Sequence, residues 1–242
     1  MQMNKRLKRK SYFVTEAIKI IKEYGIGNLT ARAVAEAAGF NPASIYNYFE
    51  NMDHLENIAS IYFTEEYANE LTTATEKENS ALHCYIIMWE LFLFHAFADP
   101  DLFYNVFYSA ISQSGRHNLF KEYFELFPDE RPRGGYISGM IEIDKTQYRG
   151  EYVLNICVKE KSIEKEMLSY INDIHIGYTK CIMTDIVKNK LYEPSPQLFH
   201  KCLQYIIYSM IMYVNKSYKP YLLEVLDFHT NNTDEYLLFH KL

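Results

Sequence analysis

Apolar residues recur at helical spacing over most of the chain. Phe13, Ala17, Ile20, Ile21 and Tyr24 lie three and four apart and give one stripe over about Leu7 to Tyr24. Gly25 and Gly27 stop that helix. Thr30 then caps a short helix, Ala31 to Ala38, in which Ala33, Val34, Ala37 and Ala38 keep the surface slim enough for a close crossing. Gly39 sits where the chain must turn, a left-handed position that suits glycine, and Phe40 plugs the turn. Asn41 caps the next helix, and Pro42 takes its first position, where no N–H is needed. There Ile45 and Phe49 face inward, while Ala43, Ser44 and Asn47 face outward and are small or polar. Two short helices joined by a glycine-bearing turn, the second with a groove-sized polar face, predict a helix-turn-helix.

Further along, Ser80 to Ala98 is apolar on nearly every face and predicts a buried central helix. Asp99-Pro100 ends it, and aromatic-rich helices follow over Asp101 to about Ser112 and Arg116 to Phe127. Pro128 to Gly139 is the clearest loop and is expected to be flexible. The piece from Tyr136 to Val158 stays open, because its first residues alternate enough to form a strand. A long helix reads well over Ser162 to Leu191 and another over Leu198 to Val214, joined by a proline-bearing break as an αα-hairpin. Pro220 to Leu242 reads as a further helix and a tail. The fold class is therefore all-α.

Composition supports that class. Nine glycines and seven prolines in 242 residues are too few for a turn-rich β fold. Twenty-two tyrosines and fifteen phenylalanines must go into cores, interfaces or a pocket. The four cysteines lie far apart with no C-x-x-C pair, so reduced thiols are expected. The most apolar stretches fall short of a membrane span, and no signal peptide is visible; a cytoplasmic protein with no membrane partner is expected. Charge is uneven. Residues 1–60 hold eight Lys and Arg against six Asp and Glu, a net of +2, and the remainder holds 17 against 25, a net of −8. A basic tip on an acidic body is the asymmetry expected when one end meets a polyanion.

Thr30, Val34, Ala35, Ala38, Gly39, Phe40, Ile45, Tyr46, Tyr48, Phe49 and Leu55 stand in one register. In that register the stretch from about Lys10 to Ile61 resembles the DNA-binding domain of TetR-family transcriptional regulators. The resemblance implies a three-helix head over 1–52 with a basic N-terminal arm. It also implies a larger helical ligand-binding and dimerisation domain over 53–242, entered by a long connecting helix from Asn51 to about Thr75. It further implies a homodimer through the helices at about 162–191 and 198–214, acting on double-stranded DNA and released by a small-molecule effector. One position departs: where the family usually carries a phosphate-gripping lysine, this chain has Met52.

The candidate DNA contacts are Thr30, Arg32, Ala43, Ser44, Tyr46, Asn47 and Tyr48. Arg32 can pair bidentately with guanine, Ser44 and Asn47 can donate and accept, and Ala43 can touch a thymine methyl. Thr30, Tyr46 and Tyr48 can donate to phosphate, the two tyrosines by resemblance. Lys5, Arg6, Lys8, Arg9 and Lys10 can reach the backbone or minor groove as an arm. Candidate effector contacts are Trp89, Phe92, His95, Phe103, Tyr104, Phe107, Tyr108 and Tyr178, which can line an apolar cavity or simply fill a core. Glu90 or Asp99 beside such rings would suit a cationic ligand. The eight histidines fall into no metal-ligating spacing, and no nucleophile elbow, P-loop or paired-carboxylate motif occurs, so no catalytic residue, metal or cofactor is expected. The rival to a ligand-responsive regulator is a ligand-binding or protein-interaction module on the same fold whose DNA binding has decayed, as Met52 and the acidic body allow.

Overall fold

A computed structural model describes residues 5–241. α1 (Lys5–Tyr24) buries Phe13, Val14, Ala17, Ile18, Ile20 and Ile21 on one side. Tyr24, placed on that stripe by spacing alone, is 59% exposed at the frayed end. α2 (Ala31–Ala38) begins where the Thr30 hydroxyl accepts from the Ala33 N–H and ends at Gly39, whose φ of 74° is the left-handed turn the sequence requires. Asn41 caps the following segment through the Ala43 N–H. That segment, Pro42–Asn47, is a 3-10 helix and not the α-helix its sequence suggests. It is six residues long, and so short a piece is readily closed by i→i+3 bonds.

The predicted connecting helix is broken. α3 (Met52–Ile61) passes through a 3-10 turn, Tyr62–Thr64, into α4 (Glu65–Thr75). The Thr64 hydroxyl donates to the Ile61 carbonyl at 2.8 Å and the Ser60 hydroxyl to the Glu56 carbonyl at 2.8 Å. Such side-chain back-bonding bends helices. α3 packs on α1 and also on α6 (Pro100–Phe107) and α8 (Leu119–Leu126), so it ties head to body directly.

α5 (Ala81–Ala98) is the central helix. It is long and apolar enough to cross a membrane by composition, yet 83% of it is buried inside the fold, as an all-round apolar core helix should be. Against it lie α4, α6, α10 (Thr146–Glu160) and α12 (Pro196–Tyr213). α7 (Ala110–Gln113) and α9 (Gly135–Met140) are single short turns. The stretch that alternated like a strand is therefore α9, a turn and α10, with Gly134 and Gly135 at φ 85° and 59° entering it. Strand pairing needs an unpaired neighbour edge, and the helical body offers none. The loop from Pro128 is shorter than expected, because a 3-10 turn covers Pro128–Glu130 and α9 covers its end.

α11 (Leu168–Val187) starts later than the sequence suggested. Lys161 closes α10 in a left-handed conformation, and Ile163 pairs with Val214 in an isolated antiparallel bridge. α12 packs on α13 (Lys219–Asn231), after which the chain returns to a 3-10 turn, Phe239–Lys241. Among the described residues the four cysteines are free, with Cys181 exposed and the others buried.

Candidate nucleic-acid interface and apolar cavity

The head presents one polar face. Arg32, Ala43, Tyr46 and Asn47 are exposed, and Ser44 is half-buried beside them. Tyr46 stands 54% exposed. Thr30 is also exposed, although its hydroxyl oxygen is occupied by the cap bond from Ala33. The Arg32 Nε donates to Glu36 at 2.8 Å, one turn on. Both side chains are largely exposed, and exposed pairs at this spacing are weak, so the guanidinium is free to exchange Glu36 for a nucleic-acid acceptor. Tyr48 differs from its expected role: it is half-buried with its ring 5.6 Å from Phe13, so the ring is a core group and only its hydroxyl end is left for a phosphate.

The basic residues do not form an extended arm. Lys5 to Lys10 are the first turns of α1, with Arg9 over the Phe40 ring and Arg6 reaching the Asn47 carbonyl. Lys10 borders the same surface hollow as Tyr46 and Asn47, but its ammonium group is engaged by Glu122 of α8 at 2.5 Å. Residues 1–4 lie outside the described part of the chain. Met52 is half-buried against the core, as its apolar side chain dictates.

Where head meets body, sequence spacing gave no warning of a cluster. His54 Nε2 lies 3.2 Å from Glu122 Oε2, and His117 sits between Glu122 (3.0 Å) and Glu50 (2.9 Å). The two imidazoles face each other at 4.0 Å between centroids. Ligand-type atoms of His54, His117 and Glu122 lie within 4.8 Å of one another, which is metal-like proximity. The hydrogen bonds argue for another use. The Glu50 N–H donates to His54 Nδ1, so Nε2 carries the proton and donates to Glu122. Both nitrogens of His117 face carboxylates. Arg116 completes the set on Glu50 at 3.0 Å. Burial pulls the Glu122 carboxyl up, but hydrogen bonds from His54 and Lys10 and the lysine charge outweigh it and hold the group at about 2. The cluster is an ionic clasp between the chain just after the Pro42–Asn47 segment and α8.

In the body two small cavities lie side by side. One has a volume of ≈ 40 Å³ and is walled by Ile61, Phe120, Phe124 and Ile141; the other, of ≈ 30 Å³, is walled by Trp89, Phe92, Tyr108 and Ile176. Tyr67, Phe107, Met140 and Arg149 line both and form the partition between them. Of the candidates named from sequence, Trp89, Phe92, Phe107 and Tyr108 therefore border a cavity. The others do not. His95 bonds Glu70 at 2.9 Å, Phe103 is core between Phe92 and Phe107, Tyr104 lies under Lys188, and the Tyr178 hydroxyl contacts Cys202. Helical periodicity marks which faces are apolar, but it does not say which apolar face borders a void.

Neither acid proposed for a cationic ligand reaches the cavities. Asp99 is exposed. Glu90 is fully buried and consumed by the C-terminal segment: it accepts from His229 Nε2 at 2.9 Å, His240 Nδ1 at 2.9 Å and the Phe239 N–H at 2.7 Å. His229 meets His200 at 2.9 Å, and His200 bonds the Glu235 carbonyl at 2.8 Å. Three charged groups do reach the first cavity: Glu65 and Glu130, both exposed, and Arg149, which is buried, lines the second cavity as well and was hidden by the sequence in the stretch of ambiguous periodicity.

Residues 13–56 match the family model described as bacterial regulatory proteins, tetR family. No curated protein matches the chain. Among solved structures the chain is similar to RolR without ligand, at 11% identity and a TM-score of 0.54, covering 94% of this chain and 100% of that one. It is equally similar to RolR in complex with resorcinol, at 12% identity and a TM-score of 0.54, covering 96% and 98%. A third is FadR, a fatty acid degradation regulator from Bacillus halodurans, at 13% identity and a TM-score of 0.45, covering 85% and 96%. At these identities the likeness to RolR is one of fold.

Proposed function

We propose, from the match of residues 13–56 to the tetR-family model, that the protein is a ligand-responsive transcription regulator, a repressor that grips DNA as a homodimer in the cytoplasm. The observation that carries the reading is the head itself: a capped α2 that exposes Arg32, a left-handed Gly39 turn and a recognition segment whose outer residues are Ala43, Ser44, Tyr46 and Asn47. Arg32 and Asn47 read bases, and Thr30, Tyr46 and the Tyr48 hydroxyl take phosphates. The domains divide at about residue 52, with 1–52 as reader and 53–242 as effector and dimer domain.

Support for the homodimer comes from the outer face of α11 and α12. Tyr170, Ile174, Tyr205, Tyr208 and Met212 are between 43% and 74% exposed on it. Large exposed side chains concentrated on two neighbouring helices support an interaction surface there. Two-fold pairing through it sets two recognition segments toward successive major grooves of a palindromic site. An effector in the partitioned cavities acts on α4, which lines them through Tyr67 and Ala68 and leads through the Tyr62–Thr64 bend to α3 and the head. The effector is an aromatic or apolar small molecule, by the walls of the cavity.

The test is a gel shift on the DNA upstream of the gene, with salt titration and excess random competitor. A dimer band that survives competitor and weakens steeply with salt is expected. No specific band, with a chain that still binds small molecules, overturns the reading in favour of a ligand-binding module whose DNA binding has decayed.

A further inference from the structure

Arg149 is 5% exposed, and among the described residues no carboxylate lies within ion-pair distance of its guanidinium. Its bonds are to carbonyls: Nε donates to Met140 (3.2 Å) and Ile143 (3.0 Å), and Nη2 to Ile143 (2.8 Å) and Asp144 (3.4 Å). The ring of Phe120 lies 4.4 Å from the guanidinium carbon and that of Phe107 5.9 Å. These contacts use Nε and Nη2 and leave Nη1 without an acceptor among the described residues. Carbonyl dipoles and ring faces soften a buried cation without neutralising it. Burial pulls the guanidinium down to about 10, against the opposing pull of Asp144 and Tyr67. Buried charges are ordinarily paired, and this one is not.

The second polar group on the partition is Tyr67. It is 3% exposed, lines both cavities, and its hydroxyl makes no hydrogen bond among the described residues. Arg149 lines the same two cavities, so the two groups share the partition. The partition therefore carries an unneutralised cation and an unused hydroxyl between largely aromatic and aliphatic walls; the two carboxylates that also line the first cavity, Glu65 and Glu130, are solvent-exposed, and Glu130 accepts from the Tyr123 hydroxyl. Arginine with a free N–H is the side chain best suited to a planar carboxylate.

We propose that the two cavities join to bind a small organic monocarboxylate with an aromatic or alkyl body, its carboxylate received by Arg149 and the Tyr67 hydroxyl. The inference rests on the body being an effector domain and specifies the chemistry of that effector. Each cavity alone has room for only a few waters at about 10–15 Å³ each, so the ligand must displace the partition. Met140 is its movable part: an unbranched thioether at the end of α9, a short helix entered through two left-handed glycines. Displacing Met140 also disturbs the carbonyl that Arg149 holds, so ligand entry and release of the guanidinium go together.

The chain's single tryptophan, Trp89, borders the second cavity and reports on it directly. Trp89 fluorescence is titrated at pH 7 with benzoate against benzyl alcohol and with octanoate against 1-octanol, on the full chain. At least one acid is expected to saturate with a Kd tenfold or more below that of its alcohol. Arg149→Met, with free-protein emission unchanged, is expected to erase that preference. Alcohols binding as tightly as their acids overturn the anion inference while leaving an effector cavity in place. A preference that persists in Arg149→Met overturns the assignment to Arg149. No saturable change with any of the four probes overturns both. If Arg149→Met does not fold, for want of a cap on the Met140 and Ile143 carbonyls, Arg149→Lys replaces it, and weakened acid binding is the expected result.

Discussion

Glu90 offers a sharp test of how the body is held. The perturbation is Glu90→Gln, which keeps the shape, removes the charge and turns one acceptor oxygen into a donor. In the fold that position faces only donors: the His229 and His240 ring nitrogens and the backbone N–H groups of Phe239 and His240. Burial raises the Glu90 carboxyl, but the hydrogen bonds and charges of His229 and His240 dominate and hold it at about 2 against an ordinary 4.5. That difference corresponds to about 3 kcal/mol of stabilisation at neutral pH. Removing one partner of a buried pair costs about 3–5 kcal/mol, so the two routes agree. The sign follows from a depressed carboxyl. Its contribution is complete above about pH 4.5 and is lost as pH falls toward 2. The assay is urea denaturation followed by helix circular dichroism, at several pH values. Glu90→Gln is expected to lower stability by roughly 3 kcal/mol at pH 7, with the gap flat down to pH 5 and narrowing below 4.5. Limited proteolysis should release the segment after α13 faster in the variant. A loss under about 1 kcal/mol at pH 7 would refute the claim that this carboxylate holds the C-terminal segment as an ion.

Three further outcomes follow from the same geometry. Gly39→Ala, at a φ of 74° with open space around it, is expected to destabilise the head by about 1–2 kcal/mol through backbone strain alone, read as an earlier thermal transition and weaker DNA retention. Tyr208→Glu with Met212→Glu places charges on the exposed face of α12 and should shift a dimer to monomer by light scattering while helix content stays unchanged; a persistent dimer would move the interface elsewhere. Glu122→Gln should loosen the head from the body at pH 7, seen as faster hydrogen exchange in α1 and α8. That difference is expected to vanish as pH falls from about 4.5 toward 2, where the wild-type carboxyl is itself protonated.

The head was legible in the sequence because its information is local. Thr30, Gly39, Asn41 and Pro42 each act on neighbours within four residues, and the structure uses the first three in the bonds and dihedral their side chains suggest. Helical class was legible for the same reason, since the apolar period of α5 or α12 is written in consecutive residues. What failed was long-range. His54, Glu50, His117 and Glu122 meet across gaps of more than sixty residues, and no spacing rule connects them. Glu90 pointed to a cationic ligand while the chain was read alone, and only folding showed that residues 139 and 150 positions later had already claimed it. Arg149 stood in a stretch whose alternation mimicked a strand, and a lone arginine is normally a surface residue. The sequence by itself determined the helical class and the turn chemistry of the head. Tertiary structure decided which charges are paired, which aromatic rings border a void and where an unneutralised cation waits, because burial and pairing depend on the whole packing and not on any one segment.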